Sequence, residues 1–385
     1  MKKRQKILEL DYMRAIAAFG IFAIHATGGF VMYSDFNSNA MKLGMFINQF
    51  FRFGTPVFMM ISGFVLFYNY RTPSEFSPAK FYKKKVTYLI IPYVIWSICY
   101  FFFKRYIYNL PIEPHWQGIL MQDILLGNTF SHLYFIFLIV QFYLIFPILI
   151  RTISVEMMEK PVKVFMLTAL LQASLLIYEF YFMKQTNIAA INFINSFYWK
   201  TALGWFFYFI TGGIIAYNYD KFVQFVTKNI KIIIPAYIGV LILFMGEVYL
   251  DVYKNSSVMN YEKYGSIRPM NMIYGILTFT ILMYLTRKLI YKDNVILKLL
   301  KSFGDYSLGV YFAHPMILEY MKKQLLVNFP NHIGYGRVSS LIIIVCAGWI
   351  LTMAFCYIVA CFKARWVLIG KTPKLEIKRK KLKEV

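Results

Sequence analysis

Apolar residues run along this chain in long unbroken stretches, separated by short clusters of charge. Breaking the sequence at those clusters leaves ten stretches, at about 12–33, 44–70, 86–103, 132–150, 164–182, 203–219, 232–250, 270–286, 304–321 and 339–362. Each is roughly 18–25 residues, long enough for a helix to cross about 30 Å of hydrocarbon. The pattern predicts an all-α protein, a polytopic membrane bundle of about ten transmembrane helices forming a single domain over 1–385. The first stretch follows "MKKRQK", whose charge resembles a signal-peptide n-region. No A-x-A-like cleavage site follows and the apolar run is too long for an h-region, so a retained first helix is expected.

Composition agrees with the pattern. Of 385 residues, 59% are hydrophobic and only 16% charged, against about 25% charged in a soluble domain. The net charge of +24 is distributed unevenly. The N-terminus and segments 71–85, 151–163, 220–231, 287–301 and 363–385 carry 29 of the 42 basic residues. The alternate loops 34–43, 104–131, 183–202, 251–269 and 322–338 carry 11, and Arg14 and Arg52 lie within helices. Lys and Arg accumulate on the cytoplasmic side of membrane proteins, so both termini are expected inside. The charge then reads as topology and contact with anionic membrane lipids, not as nucleic-acid binding. The basic tail, about 363–385, lacks aromatic interleaving and reads as an inner-leaflet anchor.

Cys99, Cys346, Cys356 and Cys361 have no metal-ligand or C-x-x-C spacing, and neither a metal nor a permanently bound cofactor is expected. There is no Walker A loop and no dinucleotide fingerprint. The longest outer loop, 104–131, contains "NLPIEPHWQG" and is too short to fold alone. Any chemistry must take place among the helices.

Ionisable groups at membrane depth cost several kcal/mol unless paired or hydrated, so each is a candidate functional residue. The stretch "ELDYMRAIAAFGIFAIHATGG", 9–29, holds Arg14 and His25 eleven residues apart. At about 100° per residue they fall within about 20° of one face, roughly 16 Å apart along the axis. Arg14 fits a snorkelling anchor paired with Asp11, and His25 fits a helix–helix hydrogen bond; sharing one face, they also fit a polar groove running in from the cytoplasm. The stretch "RFGTPVFMMISGFVLFY", 52–68, enters from the opposite side. It places Arg52 and Thr55 near the level of His25 and Ser62–Gly63 in the inner half, with Pro56 and Gly63 expected to break or loosen the helix. Arg52 lies too deep to snorkel, which leaves function or a structural ion pair. "FGDYSLGVYFAHPMILEY", 303–320, sets His314 in mid-span before Pro315, with Glu319 farther out. "SHLYFIFLIVQFYLIFP", 131–147, sets His132 at the outer rim, where an interface role is the simpler one. "KFYKKKVTYLIIPY", 80–93, is a basic entry to the third helix, either an anchor or an anion site. Nothing marks His115 or His332.

These blocks, in this order, resemble the acyltransferase 3 family of bacterial integral-membrane O-acyltransferases along nearly the whole chain. Arg14 and His25 match the family's first-helix pair, and Ser62, Gly63 and Phe64 its "SGF". Lys83, Lys84, Lys85 and Pro92 match its basic cluster before "P-Y". His132 opens the "H-L-W-F/Y" block, with Tyr134 in the tryptophan position. Ser307, Gly309, Tyr311, His314 and Pro315 match "S-x-G-x-Y-x-x-H-P". "RFGTPVFMMISG", "QDILLGNTFSHLYFIF", "GWFFYFITGGIIAYNYD" and "VLIGKTPKLEI" carry a closer likeness to the branch acting on surface polysaccharides. That branch includes the intercellular-adhesion (poly-N-acetylglucosamine) and enterobacterial common antigen enzymes.

The resemblance implies acyl transfer from cytoplasmic acyl-CoA, acetyl or succinyl, to a hydroxyl of a surface polysaccharide or its lipid-linked precursor. It implies His25, Arg52 and His314 as catalytic residues and Arg14, Lys83, Lys84 and Lys85 as acyl-CoA ligands. Asp11, Ser62, Gly63, His132 and Glu319 then stand as supporting residues. Lysines replace the arginines of many relatives, and a lysine holds phosphate as a point charge without a bidentate fork. His25 fits a general base or an acyl carrier. Asp11 cannot orient it, because fourteen residues of helix span roughly 21 Å. A glycan exporter or flippase without acyl transfer is the alternative that ten helices with midplane Arg and His also fit.

Overall fold

Long apolar runs in a chain without period-two alternation leave only helices, and every regular element among the described residues is helical. The structure, a computed structural model, describes residues 4–181, 188, 192, 197–255, 259, 260, 263–290, 294–327 and 334–373. Helix α1 spans Glu9–Tyr33. Helix α2 (Asn39–Phe50) continues through a 3-10 turn at Phe51–Phe53 into α3 (Gly54–Asn69). Helix α4 (Pro78–Lys85) continues through a π-helical turn at Val86–Ile90 into α5 (Ile91–Ile107). There follow α6 (Trp116–Leu126), α7 (Tyr134–Thr152), the short α8 (Ser154–Glu159) and α9 (Pro161–Tyr181). Next come α10 (Ala202–Tyr217), α11 (Tyr219–Lys254) and α12 (Pro269–Leu289). The last are α13 (Val295–Asp305), α14 (Ser307–Lys322), α15 (Val338–Ala360) and the short α16 (Trp366–Ile369).

Each of the ten apolar stretches falls on a helix, and eight of the resulting helical segments are long and apolar enough to cross a membrane. The apolar α10, with 16 residues, is shorter, and so is α14, also 16 residues, which a π-turn at Lys323–Val327 extends. The exterior is apolar as well as the core. The long α11 turns Ile232, Ile242 and Leu250 outward, and α9 does the same with Leu167 and Leu170. Such apolar exteriors suit lipid. The protein is a multi-pass plasma-membrane protein.

The interior is built around α1, which packs on α2, α3, α12, α13, α14 and α15. Its small residues permit this: Ala15, Ala17, Ala23 and Ala26 are buried to within 1%. The closest helix pair is α3 with α10. A Cβ on Gly63 would lie 1.9 Å from the Phe209 carbonyl oxygen, and one on Gly212 would lie 1.9 Å from that of Met60. Small residues that let backbones touch are what holds helices together where lipid is as apolar as the side chains. Gly63 therefore does not loosen α3, which runs unbroken through it; it docks the helix.

Pro56 does disturb its surroundings. Lacking an N–H, it leaves the Arg52 carbonyl without the usual helical donor, and the 3-10 turn sits there. Neighbouring α12 supplies replacements: the Tyr274 hydroxyl donates to Phe50 O at 2.7 Å, and Asn271 Nδ2 reaches Arg52 O at 3.5 Å. Pro315 interrupts α14 in the same way, and a hydroxyl enters the break. Tyr100 Oη donates to Phe312 O at 2.6 Å and accepts from the Met316 N–H at 3.1 Å. Both kinks carry a candidate residue beside them, Arg52 and His314.

The candidate site within the helix bundle

Three imidazoles stand in a row at the centre of the bundle, two from different helices and one from the turn before a third. The His25 ring on α1 lies 5.2 Å from that of His314 on α14, centroid to centroid. The His314 ring lies 5.6 Å from that of His132, just ahead of α7. His132 is 1% exposed and is no rim residue. Tyr100 at 4.9 Å and Tyr311 at 5.1 Å enclose its ring, and the Tyr311 hydroxyl donates to its carbonyl.

The hydrogen bonds fix one tautomer. His314 Nδ1 lies 2.8 Å from Val310 O; a carbonyl only accepts, so Nδ1 carries the proton and Nε2 keeps a lone pair. That Nε2 and both ring nitrogens of His132 are buried without a hydrogen-bond partner. Leaving a buried polar atom unpaired costs about 1–3 kcal/mol, so the row holds nitrogens that gain from an arriving hydroxyl. His25 is anchored through its backbone, where Lys322 Nζ donates to its carbonyl at 2.8 Å. Glu319 steadies Lys322 at 3.1 Å and accepts from Tyr108 Oη at 3.0 Å.

Arg52 arrives from the 3-10 turn. Its Nη2 donates to Asn48 Oδ1 at 2.8 Å, and Asn48 Nδ2 donates to Ile24 O at 3.0 Å and Thr27 Oγ1 at 3.3 Å. The amide thus ties the guanidinium to the turn of α1 that holds His25. Lys322 and Arg52 are the cations that act electrostatically on His25, and Arg52 acts also on Tyr134. Arg14, His25, Tyr134 and Tyr311 are each half-buried and keep accessible surface.

The other end of α1 carries the cations. Lys83 and Lys84 are exposed and Lys85 is half-buried at the end of α4, where the π-turn begins. Lys85 Nζ sits 3.7 Å from the Tyr143 ring centroid, a cation–π distance. Tyr143 and Asp305 act electrostatically on Arg14, as Lys371 does on Lys84. Asp11 binds Arg14 at 3.2 Å and Lys6 at 2.5 Å, so Arg14 keeps further donors for another anion. Lys84, Lys85 and Arg14 therefore lie at the same end of the bundle, with Lys83 exposed beside them.

The remaining candidates fall elsewhere. Gly63 lies in the α3–α10 contact, and Ser62 Oγ donates to Phe58 O one turn back at 2.8 Å. His115 stands at the start of α6, while His332 and the tail beyond residue 373 lie outside the described residues. The four cysteines are free thiols, and among the described residues no group of His, Cys, Asp and Glu is arranged to hold a metal. The sequence pattern does not single out Asn48, Tyr100 or Lys322, and Tyr311 stands in it only as a motif position. Asn48 four residues before Arg52, and Tyr311 three before His314, share their partners' helix faces, a signal available without coordinates.

A family model described as an acyltransferase domain matches residues 7–361. A probable poly-β-1,6-N-acetyl-D-glucosamine export protein of Staphylococcus aureus (strain MRSA252) is 25% identical over 373 residues, covering 95% of this chain and 96% of that protein. A protein of the same description from Staphylococcus epidermidis is 26% identical over 354 residues, covering 90% and 91%. No solved structure matches.

Proposed function

We propose, for a chain that belongs to the acyltransferase-domain family, that it moves an acyl group from cytoplasmic acyl-CoA to a hydroxyl of a surface polysaccharide of the poly-N-acetylglucosamine kind. The acyl group is acetyl or succinyl. The bundle crosses the membrane ten times, with both termini and the Arg14–Lys84–Lys85 mouth in the cytoplasm. The observation that carries the reading is a half-buried His25 beside unpartnered imidazole nitrogens, on the same face of α1 as Arg14.

The phosphates of CoA meet Arg14, Lys84 and Lys85, whose charge-assisted contacts suit them. The pantetheine arm spans the roughly 16 Å between Arg14 and His25. His25 takes the proton of the acceptor hydroxyl while the oxygen attacks the thioester carbonyl carbon. The C–O bond forms, the C–S bond breaks, and the leaving CoA thiolate recovers the proton from the imidazolium. Arg52, held by Asn48, stabilises the oxyanion of the tetrahedral intermediate. The His314 ring lies 5.2 Å from that of His25, and its unpartnered Nε2 offers a second site for the travelling proton.

Replacing His25 with alanine in purified protein is the direct test. Transfer from labelled acetyl-CoA should fall by about 10²–10⁴-fold, the worth of a general base, with expression, membrane insertion and acyl-CoA binding retained. Wild-type transfer in that variant removes His25 from the chemistry. The relatives' description as export proteins favours a second reading, translocation of the glycan without acylation. An exporter has no use for acyl-CoA, so failure of the purified protein to bind or hydrolyse acyl-CoA decides for export.

A further inference from the structure

At the end of the bundle opposite the lysines, a cavity of about 510 Å³ opens between the last turns of α9 and α11 and the segment before α12. Its place at that end is fixed by Tyr253 Oη, which donates to Asn37 Oδ1 at 3.2 Å just beyond the end of α1. We infer that this cavity is a binding subsite for a neutral, hydroxyl-rich oligosaccharide segment, wired to the histidine row by a chain of side chains. The inference rests on the acyltransferase reading for the purpose of that wiring; the subsite itself is argued from its walls.

Three aromatic rings, Phe180, Tyr181 and Tyr264, line the cavity. Flat apolar faces with a few convergent polar groups suit a sugar ring, which has one apolar face and a rim of hydroxyls. The charged lining groups are Glu247, Asp251, Lys254 and Lys263, whose charges cancel. Lys263 is taken up by Asp251 at 2.9 Å. A lining without excess cation suits a neutral ligand better than an anionic lipid headgroup. The volume lies in the usual range of small-molecule sites, about 300–1,000 Å³.

Behind the wall stands the second observation. Arg268 has no exposed side-chain surface and aims Nη1 at Glu247 Oε2 across 3.3 Å. Neither of those atoms, nor Arg268 Nε, makes a hydrogen bond. The fully buried guanidinium lies 3.8 Å from the Phe244 ring centroid, and its ion pair couples the Glu247 of the cavity wall to the interior of the bundle. Its third nitrogen points inward. Arg268 Nη2 donates to Gln49 Oε1 at 3.1 Å, Gln49 Nε2 donates to Asn48 Oδ1 at 3.3 Å, and Asn48 Oδ1 accepts from Arg52 Nη2 at 2.8 Å. Glu247 on the cavity wall and Arg52 beside His25 are thus the ends of one polar chain. Arg268 and Gln49 are positioning residues in this scheme.

The experiment uses full-length protein in nanodiscs of neutral lipid, titrated with β-1,6-linked N-acetylglucosamine oligosaccharides, with acetyl-CoA binding measured in the same preparation. Tyr181 is 55% exposed, so Tyr181→Ala leaves the fold intact. The expected result is saturable oligosaccharide binding by the wild type, weakened about tenfold or more in Tyr181→Ala, with acetyl-CoA binding unchanged. Equal oligosaccharide binding by the two proteins would place the glycan elsewhere and overturn the inference. So would acetyl-CoA binding without any oligosaccharide binding, a result that leaves the acyl-transfer reading standing. Oligosaccharide binding that Tyr181→Ala weakens, in a protein indifferent to acetyl-CoA, would uphold the subsite and remove the acyl-transfer reading instead. Binding of phosphatidylglycerol, and not the sugar, at Tyr181 would assign the cavity to a lipid headgroup and overturn the proposal.

Discussion

A histidine in a membrane helix earns a functional reading only when its neighbours leave it something to do. His25 meets that condition because the two rings nearest it in the row have nitrogens that nothing in the protein satisfies. Arg52 meets it differently, since its Nη2 holds Asn48, whose amide donates to the carbonyl of Ile24 beside His25. Arg52→Lys keeps the charge and loses the fork. It should lower kcat by about 10²-fold, the scale of one lost oxyanion donor, and leave the KM for acyl-CoA near its wild-type value. An unchanged kcat in steady-state assays would return Arg52 to a structural role. Arg14→Ala should do the opposite, raising the apparent KM with little change in kcat, as expected for uniform ground-state and transition-state binding. A lost kcat at constant KM would place Arg14 at the chemistry.

At the scale of the helix, the glycines and prolines decide where side chains go. Gly63 and Gly212 bring α3 and α10 into backbone contact, and α3 follows directly on the turn that carries Arg52. Gly63→Ala must push the helices apart, since its methyl would meet the Phe209 carbonyl. Overpacking of this kind costs about 1–3 kcal/mol, and a thermal unfolding scan in detergent should show a clearly lower Tm; an unchanged Tm would mean that α10 shifts freely. The same residue marks what the sequence could convey. A glycine in an apolar run signals either a loose helix or a close approach, and only the partner helix tells which. The phase of Arg14 and His25 needed no partner, because helical geometry alone puts them on one face. The meeting of His132 with His314 depends on how α7 packs against α14, and no local pattern encodes that. Pro315 was legible as a kink; that Tyr100 fills it was not, because α5 lies more than two hundred residues away in the chain.

For the whole molecule, the decisive feature is asymmetry. Cations collect at one end of α1, and a cavity whose charges cancel opens at the other. Between them lies the row of imidazoles. The helices themselves were legible as apolar runs, since lipid demands them. Their lengths were less so: α11 extends over 36 residues where the apolar pattern covers only its middle. Lysine and arginine counts predict the sidedness on which the proposed chemistry depends. The most direct test reconstitutes the protein in sealed liposomes, with labelled acetyl-CoA confined to the side bearing Lys84 and Lys85 and a β-1,6-linked N-acetylglucosamine oligosaccharide confined to the opposite side. The account predicts label on the oligosaccharide, none with His25→Ala, and none when the two substrates exchange sides. Label appearing equally with His25→Ala, or only when the substrates share one compartment, would contradict it.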